Sequence, residues 1–425
     1  VVVELARLQF AVTAGLHFLF VILTLGLGPI VAVMETRYAL TKKPVFEQMT
    51  RFWGQIYVIN YAMGIIVGLA LEFQFGLNWS GLSHFAGDVF GAPLAMETLV
   101  AFFIESTFLG IWIFGWGHLP RLVHVALFWI VVLAAYASVF WIMVANGFLQ
   151  NPAGGERVGD HMVLSDIGAL VTNESAISAI RHIVAVVLLA GGFFVAGVSA
   201  WHFRRKTEHH LLFRSSMRIG LLVAAVAGFF VVSTGYSQLD VVEQTQPLKF
   251  ATVWTTGDTD LAQLQEQAVA EFGPGDYTPP DWIATAFQVM TWVGGLFEYL
   301  FWLPLLFLIK NWIERRRWLL WFFTWFIPVP FIAATAGWLV REAGRQPWLV
   351  YGELRVEDAI SPVSTAAVLT SFVAFTLVFA VLAVIDYLLI ARVARAGPDA
   401  AVLGAAAAAA PEPGDTTDDD LPLRL

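Results

Sequence analysis

The sequence predicts an all-α polytopic membrane protein with nine transmembrane helices, its N-terminus outside and its C-terminus in the cytoplasm. Three observations carry that reading. The 425 residues are 58% hydrophobic and 13% charged with a mean hydropathy of +0.71, a balance that excludes an ordinary soluble domain. Apolar runs of spanning length recur near 11–33, 55–73, 94–116, 124–145, 181–203, 217–236, 284–309, 319–341 and 365–391. Lysine and arginine crowd alternate loops: Arg37, Lys42, Lys43 and Arg51 after the first run, Arg204, Arg205, Lys206 and Arg214 after the fifth, Lys310, Arg315, Arg316 and Arg317 after the seventh. The positive-inside rule assigns those loops to the cytoplasm.

Taken in order, the first run lies too near the N-terminus for a signal n-region and no A-x-A-like site follows it, so it is expected as a retained span. Two outside loops are long, 146–180 and 237–283. The second is polar, with a short helix expected over Asp260–Phe272, and a loop of that length in a compact membrane protein is often functional. One membrane unit is expected over 1–395. The low-complexity acidic segment 396–425 is expected to be a disordered cytoplasmic tail. The net charge of −9 resides largely in loops and tail, and nothing points to nucleic acid. With no cysteine, disulfides, zinc–thiolate sites, iron–sulfur clusters and covalently attached haem are excluded. A metal or haem must then be held by His, Met or carboxylate. The 35 Phe and 17 Trp suit interfacial belts and the walls around a large flat cofactor.

The chemistry concentrates in GWLVREAGRQPW, Gly337 to Trp348, where an apolar run meets water. Glu342 at that depth needs a cation, a metal or a cofactor beside it. Arg341 and Arg345 are candidate compensators, and Arg345 suits an anionic group such as a haem propionate. The plainer reading is a helix end with Trp and Arg anchors. On the expected topology His17, His182, Met290 and Glu342 all fall in the outer half of the membrane, a credible axial-ligand set. Against it, a lone membrane His is more often a packing residue and a lone Met more often core filler. Glu97 and Glu105, eight residues apart on one helix, can face one groove, and intramembrane carboxylates are proton-relay candidates. The plainer alternative is a buried, protonated, hydrogen-bonded carboxyl, and Ser106 and Thr107 serve either reading. His84, His118, His124, His161, His202, His209 and His210 are expected to be solvated or interfacial.

The strings ARLQFAVTAGLHFLF, FGAPLAMETLVAFFIESTFLG, WIMVANGFLQNP and GWLVREAGRQPW with the following VYGELR give the chain a family likeness from Glu4 to about Arg395. It resembles subunit I of cytochrome bd, the quinol-oxidising terminal oxidase of prokaryotic membranes, in its short-loop subfamily. The resemblance implies His182 and Met290 as axial ligands of a low-spin haem b. It implies His17 and Glu342 as iron ligands of the two haems of the oxygen site, a high-spin haem b and a haem d or third haem b. Glu97 would lie beside that site as a further ligand candidate, Glu105 and Ser106 on the proton path, Trp338 between haems, Arg345 near a propionate. Lys249 would contact quinol in the loop 237–283. A homologous second large subunit is implied as heterodimer partner, with a single-helix small subunit as a further candidate, all set in membrane lipid.

Two departures stand out. Where the family usually has Arg two residues before the ligand Met, this chain has Gln288. Where it has Glu five residues after the Lys, this chain has Trp254. Losing a cation beside a propionate disfavours haem reduction unless another cation compensates. Asp240, Glu243 and Asp258 are candidate stand-ins for the missing carboxylate. The expected function is therefore quinol oxidation at the outer face and reduction of O2 to water, with protons taken from the cytoplasm without pumping. The alternatives are a haem oxidase of the same fold with another or partner-completed donor site, a proton-coupled transporter using Glu97 and Glu105, and a catalytically inactive scaffold.

Overall fold

The computed structural model describes residues 1–254 and 260–404; Asp258 and residues 405–425 lie outside the described residues. Helices α1 (Val2–Thr41) and α2 (Pro44–Asn78) form a hairpin at Lys42, whose backbone is left-handed (φ 58°), and Pro44 opens α2 where a missing N–H costs nothing. α3 (Ser80–Met96) passes through a π-helical turn, Glu97–Phe102, into α4 (Phe103–Phe114), and α5 (Arg121–Gln150) returns. A hairpin of β1 (Gly155–Val158) and β2 (His161–Leu164), with Gly155 opposite Leu164, and α6 (Ile167–Val171) fill the next loop. α7 (Glu174–Arg204) and α8 (His210–Thr245) follow.

The second long loop folds as α9 (Pro247–Val253) and α10 (Leu261–Phe272). α10 is the short helix expected there, and the Asp260 side chain caps it by accepting from the N–H groups of Ala262 and Gln263. α11 (Trp282–Leu300), α12 (Leu303–Leu308), α13 (Trp312–Arg315), α14 (Arg317–Phe326) and α15 (Pro328–Ala343) lead to a second hairpin of β3 (Trp348–Val350) and β4 (Leu354–Arg355). α16 (Thr365–Ala396) closes the bundle.

Among the described residues, eight helical segments are long and apolar enough to cross a membrane. The expected seventh span is not one of them. It is broken after Leu300, and Gln288, Thr291 and Glu298 lower the hydropathy of α11. The chain is a multi-pass membrane protein, its basic loops at one end and its long loops at the other.

The core lies between α1, α2, α5, α7 and α8, with α7 at its centre. Glycine makes this packing feasible. A Cβ on Gly26 or Gly191 would collide with the backbone where α1 crosses α7, and one on Gly192 or Gly220 where α7 crosses α8. Of the tail expected to be disordered, residues up to Gly404 pack at the basic end. Arg51 Nη1 donates to Leu403 O (3.0 Å), Val402 N–H donates to Gln55 Oε1 (2.6 Å), and Leu403 is buried.

Candidate functional site

The fold holds two cavities, of about 600 and 390 Å³, both lined mainly by apolar side chains. Trp338 lines both and stacks on Phe18 at 5.1 Å, so one indole forms part of the partition.

The larger cavity brings together His17, Glu97, Glu105, Glu342 and Arg345. His17 packs against Gly68, where a Cβ would come to 3.0 Å of its ring. The π turn begins at Glu97. Its wider i→i+5 spacing turns the chain less per residue, so Glu97 and Glu105 lie closer to one face than the roughly 80° of a regular helix. Glu97 Oε1 accepts from Ser138 Oγ (3.1 Å), and Thr98 Oγ1 bridges Glu97 (3.1 Å) and Glu72 (3.3 Å). Glu342 Oε1 accepts from Asn146 Nδ2 (2.7 Å) and Oε2 from Arg345 (3.0 Å). Each of its oxygens keeps a second lone pair for a metal. Arg345 is 5% exposed, and its Nε and Nη1 find no acceptor among the described residues.

The smaller cavity is lined by His182, Met290, Lys249 and Arg341. Thr234 Oγ1 donates to Phe230 O (2.8 Å), so toward His182 Nδ1 (3.2 Å) it acts as acceptor. That fixes the Nδ1–H tautomer and leaves Nε2 free as a ligand. Gly337 faces Met290, and a Cβ there would come to 2.6 Å of the thioether sulfur.

The roof between the cavities is a polar network. Asn146 Oδ1 accepts from Arg341 Nε (2.6 Å), Gln150 Nε2 donates to Arg341 O (3.2 Å), and Lys249 Nζ donates to the same carbonyl (3.0 Å). Burial first, then the Arg341 and Arg345 charges, hold Lys249 well below the usual lysine value, with Glu342 opposing. Lys249 is thus drawn inward, 4% exposed. Trp254, in the position of the missing carboxylate, packs edge-on against Tyr236 and Phe287. Asp240 and Glu243 are exposed at the end of α8.

Ser106 is not brought to either cavity; its hydroxyl donates to Phe102 O at 2.8 Å. Two of the histidines expected to be solvated or interfacial are buried. His202 stacks on Phe213 at 3.8 Å, and His124 pairs with Glu35. Both sit at span ends that neighbouring helices cover, which the local sequence does not reveal. Sequence reasoning also passed over Asn146, Gln150, Ser138 and Glu72. The first two, four residues apart on one helix face within WIMVANGFLQNP, were open to detection by spacing.

Among the described residues no three His, Asp or Glu side chains converge as a metal cluster. Donors set singly around two apolar cavities, with unpartnered buried guanidinium nitrogens of Arg345 beside the larger one, fit a macrocycle that brings most of its own ligands and an anionic edge.

Comparison with known proteins agrees. The family model described as cytochrome bd terminal oxidase subunit I matches residues 5–269 and 256–398. The chain is 35% identical to cytochrome bd ubiquinol oxidase subunit 1 of Bacillus subtilis (strain 168), over 93% of this chain and 94% of that one. It is 30% identical to cytochrome bd-II ubiquinol oxidase subunit 1 of Escherichia coli (strain K12), over 94% and 97%. Its fold is similar to the solved structure of bd oxidase from Geobacillus thermodenitrificans, with a TM-score of 0.82 at 24% identity, covering 93% of this chain and 98% of that one. Matched along nearly its whole length, the chain belongs to the cytochrome bd terminal oxidase subunit I family.

Proposed function

We propose that this subunit oxidises quinol at the loop-rich, outer face and passes electrons inward to a site where O2 is reduced to water. The observation that carries the reading is the pair of cavities sharing Trp338, one with His182 and Met290, the other with His17, Glu97, Glu105 and Glu342. His182 Nε2 and the Met290 thioether would hold a low-spin haem b. His17 and Glu342, with Glu97 at hand, would hold the two haems of the oxygen site, a high-spin haem b and haem d or a third haem b. These groups supply the one-electron steps and the oxygen chemistry.

The chain's own residues do the rest. Arg341 and Arg345 offset anionic edges of the bound groups, a pair of cations that compensates for Gln288. Asn146 ties Glu342 to Arg341 and fixes both. Glu105, 5% exposed and lining the larger cavity, hands protons toward Glu97. The apolar lining keeps bulk water out, so charge moves only along these side chains. α11 with α12 is the ninth crossing. The exposed apolar faces of α2 and α4 beside half-buried Glu72 and Glu97 receive a second large subunit, since lipid would leave those carboxylates without cover.

The test is a reduced-minus-oxidised spectrum with pyridine haemochrome analysis of the purified complex. Three haems are expected, and His182→Ala is expected to remove one b-type haem and leave the others. A complex without haem would sink the reading and leave the transporter standing.

The inward course of Lys249 favours a second reading, an oxidase of this fold whose donor site is completed elsewhere. Lys249→Ala separates the two. Loss of turnover with quinol but not with an artificial donor supports a quinol contact. Equal turnover with both assigns Lys249 to the roof alone.

A further inference from the structure

At the basic end of the bundle, away from both cavities, lies a buried polar group that the reading above does not use. Glu35 of α1 is 2% exposed and His124 of α5 is 5% exposed. Trp112 Nε1 donates to Glu35 Oε2 (2.8 Å), and His124 Nε2 lies 2.9 Å from Trp112 O. A carbonyl only accepts, so Nε2 carries a proton. The other ring nitrogen, Nδ1, meets Glu35 Oε1 at 2.5 Å, a contact that also needs a proton between its atoms. Histidine and glutamate together therefore hold a dissociable proton that their hydrogen bonding does not fix to either one.

That proton lies at the foot of a file of hydroxyls leading to Glu105. Trp112 is seven residues beyond Glu105 on α4, two turns or roughly 10 Å, and nearly on the same face. Gly54 of α2 faces Trp112, which places Tyr57 one turn and Tyr61 two turns nearer Glu105. Tyr57 packs on Phe128 (5.2 Å), Phe128 on Trp112 (4.4 Å), and Tyr57 stacks on Tyr61 (6.0 Å). The hydroxyls of Tyr57 and Tyr61 and Glu105 Oε1 are all buried without a partner among the described residues. Buried polar atoms of this kind are met by one another or by internal water, and three in succession trace a route. Tyr61 and Glu105 already line the larger cavity, where the route ends.

We propose that Glu35 and His124 are the intake of the proton path and Tyr57 its first relay, an inference that rests on the role assigned above to Glu105. The proton between Nδ1 and Oε1 leaves toward Tyr57, whose hydroxyl gives up its own toward Glu105. Water from the basic end replaces the first. One proton enters for each delivered, and no electron moves. Trp116 covers His124 (4.5 Å), and Arg51 lies over Trp116 (4.4 Å) while holding Leu403 O, so the segment at Leu403 forms the outer cover of the intake among the described residues.

The test uses the complete oxidase complex in vesicles, with proton uptake followed by a pH dye as oxygen reoxidises the reduced enzyme. Glu35→Gln is expected to slow uptake about tenfold or more with the haem spectrum unchanged, and Glu35→Asp to restore most of it. A structural staple predicts no such split, and an unchanged rate in Glu35→Gln overturns the proposal. Should Glu35→Gln fail to assemble, Tyr57→Phe decides, since it removes one oxygen and no packing. Slower uptake there supports the route, and a normal rate overturns it. Glu105→Gln runs alongside: if it too is normal, the role of Glu105 itself falls, whereas a slow Glu105→Gln beside a normal Glu35→Gln removes only the intake.

Discussion

At the scale of single residues, the least conspicuous side chain near the smaller cavity has the clearest task. Thr234 spends its hydroxyl proton on Phe230 O and so receives the Nδ1–H of His182. Thr234→Val keeps shape and removes the acceptor. About tenfold weaker retention of the low-spin haem is expected, read as haem per protein after prolonged detergent washing. The ligand candidates themselves were legible, because His17, His182, Met290 and Glu342 are metal-binding types standing in or at the ends of apolar runs. Glu35 and His124 were not. Each sits where a run gives way to polar sequence, and only the packing of α4, α5 and the segment at Leu403 removes them from water. Ser106 differs from its neighbour in a way the sequence does not show. Adjacent to Glu105 in sequence, it is turned about 100° from it on the helix and satisfies the backbone instead.

At the scale of elements, the eight apolar segments were legible because length and hydropathy are properties of a run. Two local irregularities were not. The π turn at Glu97 changes hydrogen bonding without changing composition, and the break between α11 and α12 interrupts a run that reads as continuous. The glycine crossings are a third case: the glycines are plain in the sequence, but their partners are not. Gly191→Val puts a branched side chain into the backbone of α1. It should cost about 1–3 kcal/mol or more, seen as a lower midpoint of thermal inactivation, while Gly295→Ala, where a Cβ meets nothing within 4 Å, leaves the midpoint in place.

At the scale of the whole molecule, the charge asymmetry between loops proposes an orientation, and the composition offers a direct way to check it. With no cysteine in the chain, a single Lys43→Cys or Asp276→Cys is the only thiol present in this subunit, and both positions are exposed. A membrane-impermeant maleimide applied to intact cells is expected to label the thiol at 276 and to spare the one at 43; the reverse pattern inverts the topology. Of the partition between the two cavities, the resemblance offered Trp338 of α15, whereas Phe18 of α1, which stacks on it, was beyond the sequence.

The glycine crossings also govern movement. Held backbone against backbone on both sides, α1, α7 and α8 behave as one stiff plank that cannot shear without breaking contacts along its length. His17 and His182 both ride on that plank, while Met290 and Glu342 arrive on α11 and α15, helices interrupted near Phe301 and Ile327. Any displacement within the bundle is therefore expected on the α11 and α15 side of each cavity, with His17 and His182 as the fixed points against which Met290 and Glu342 would shift.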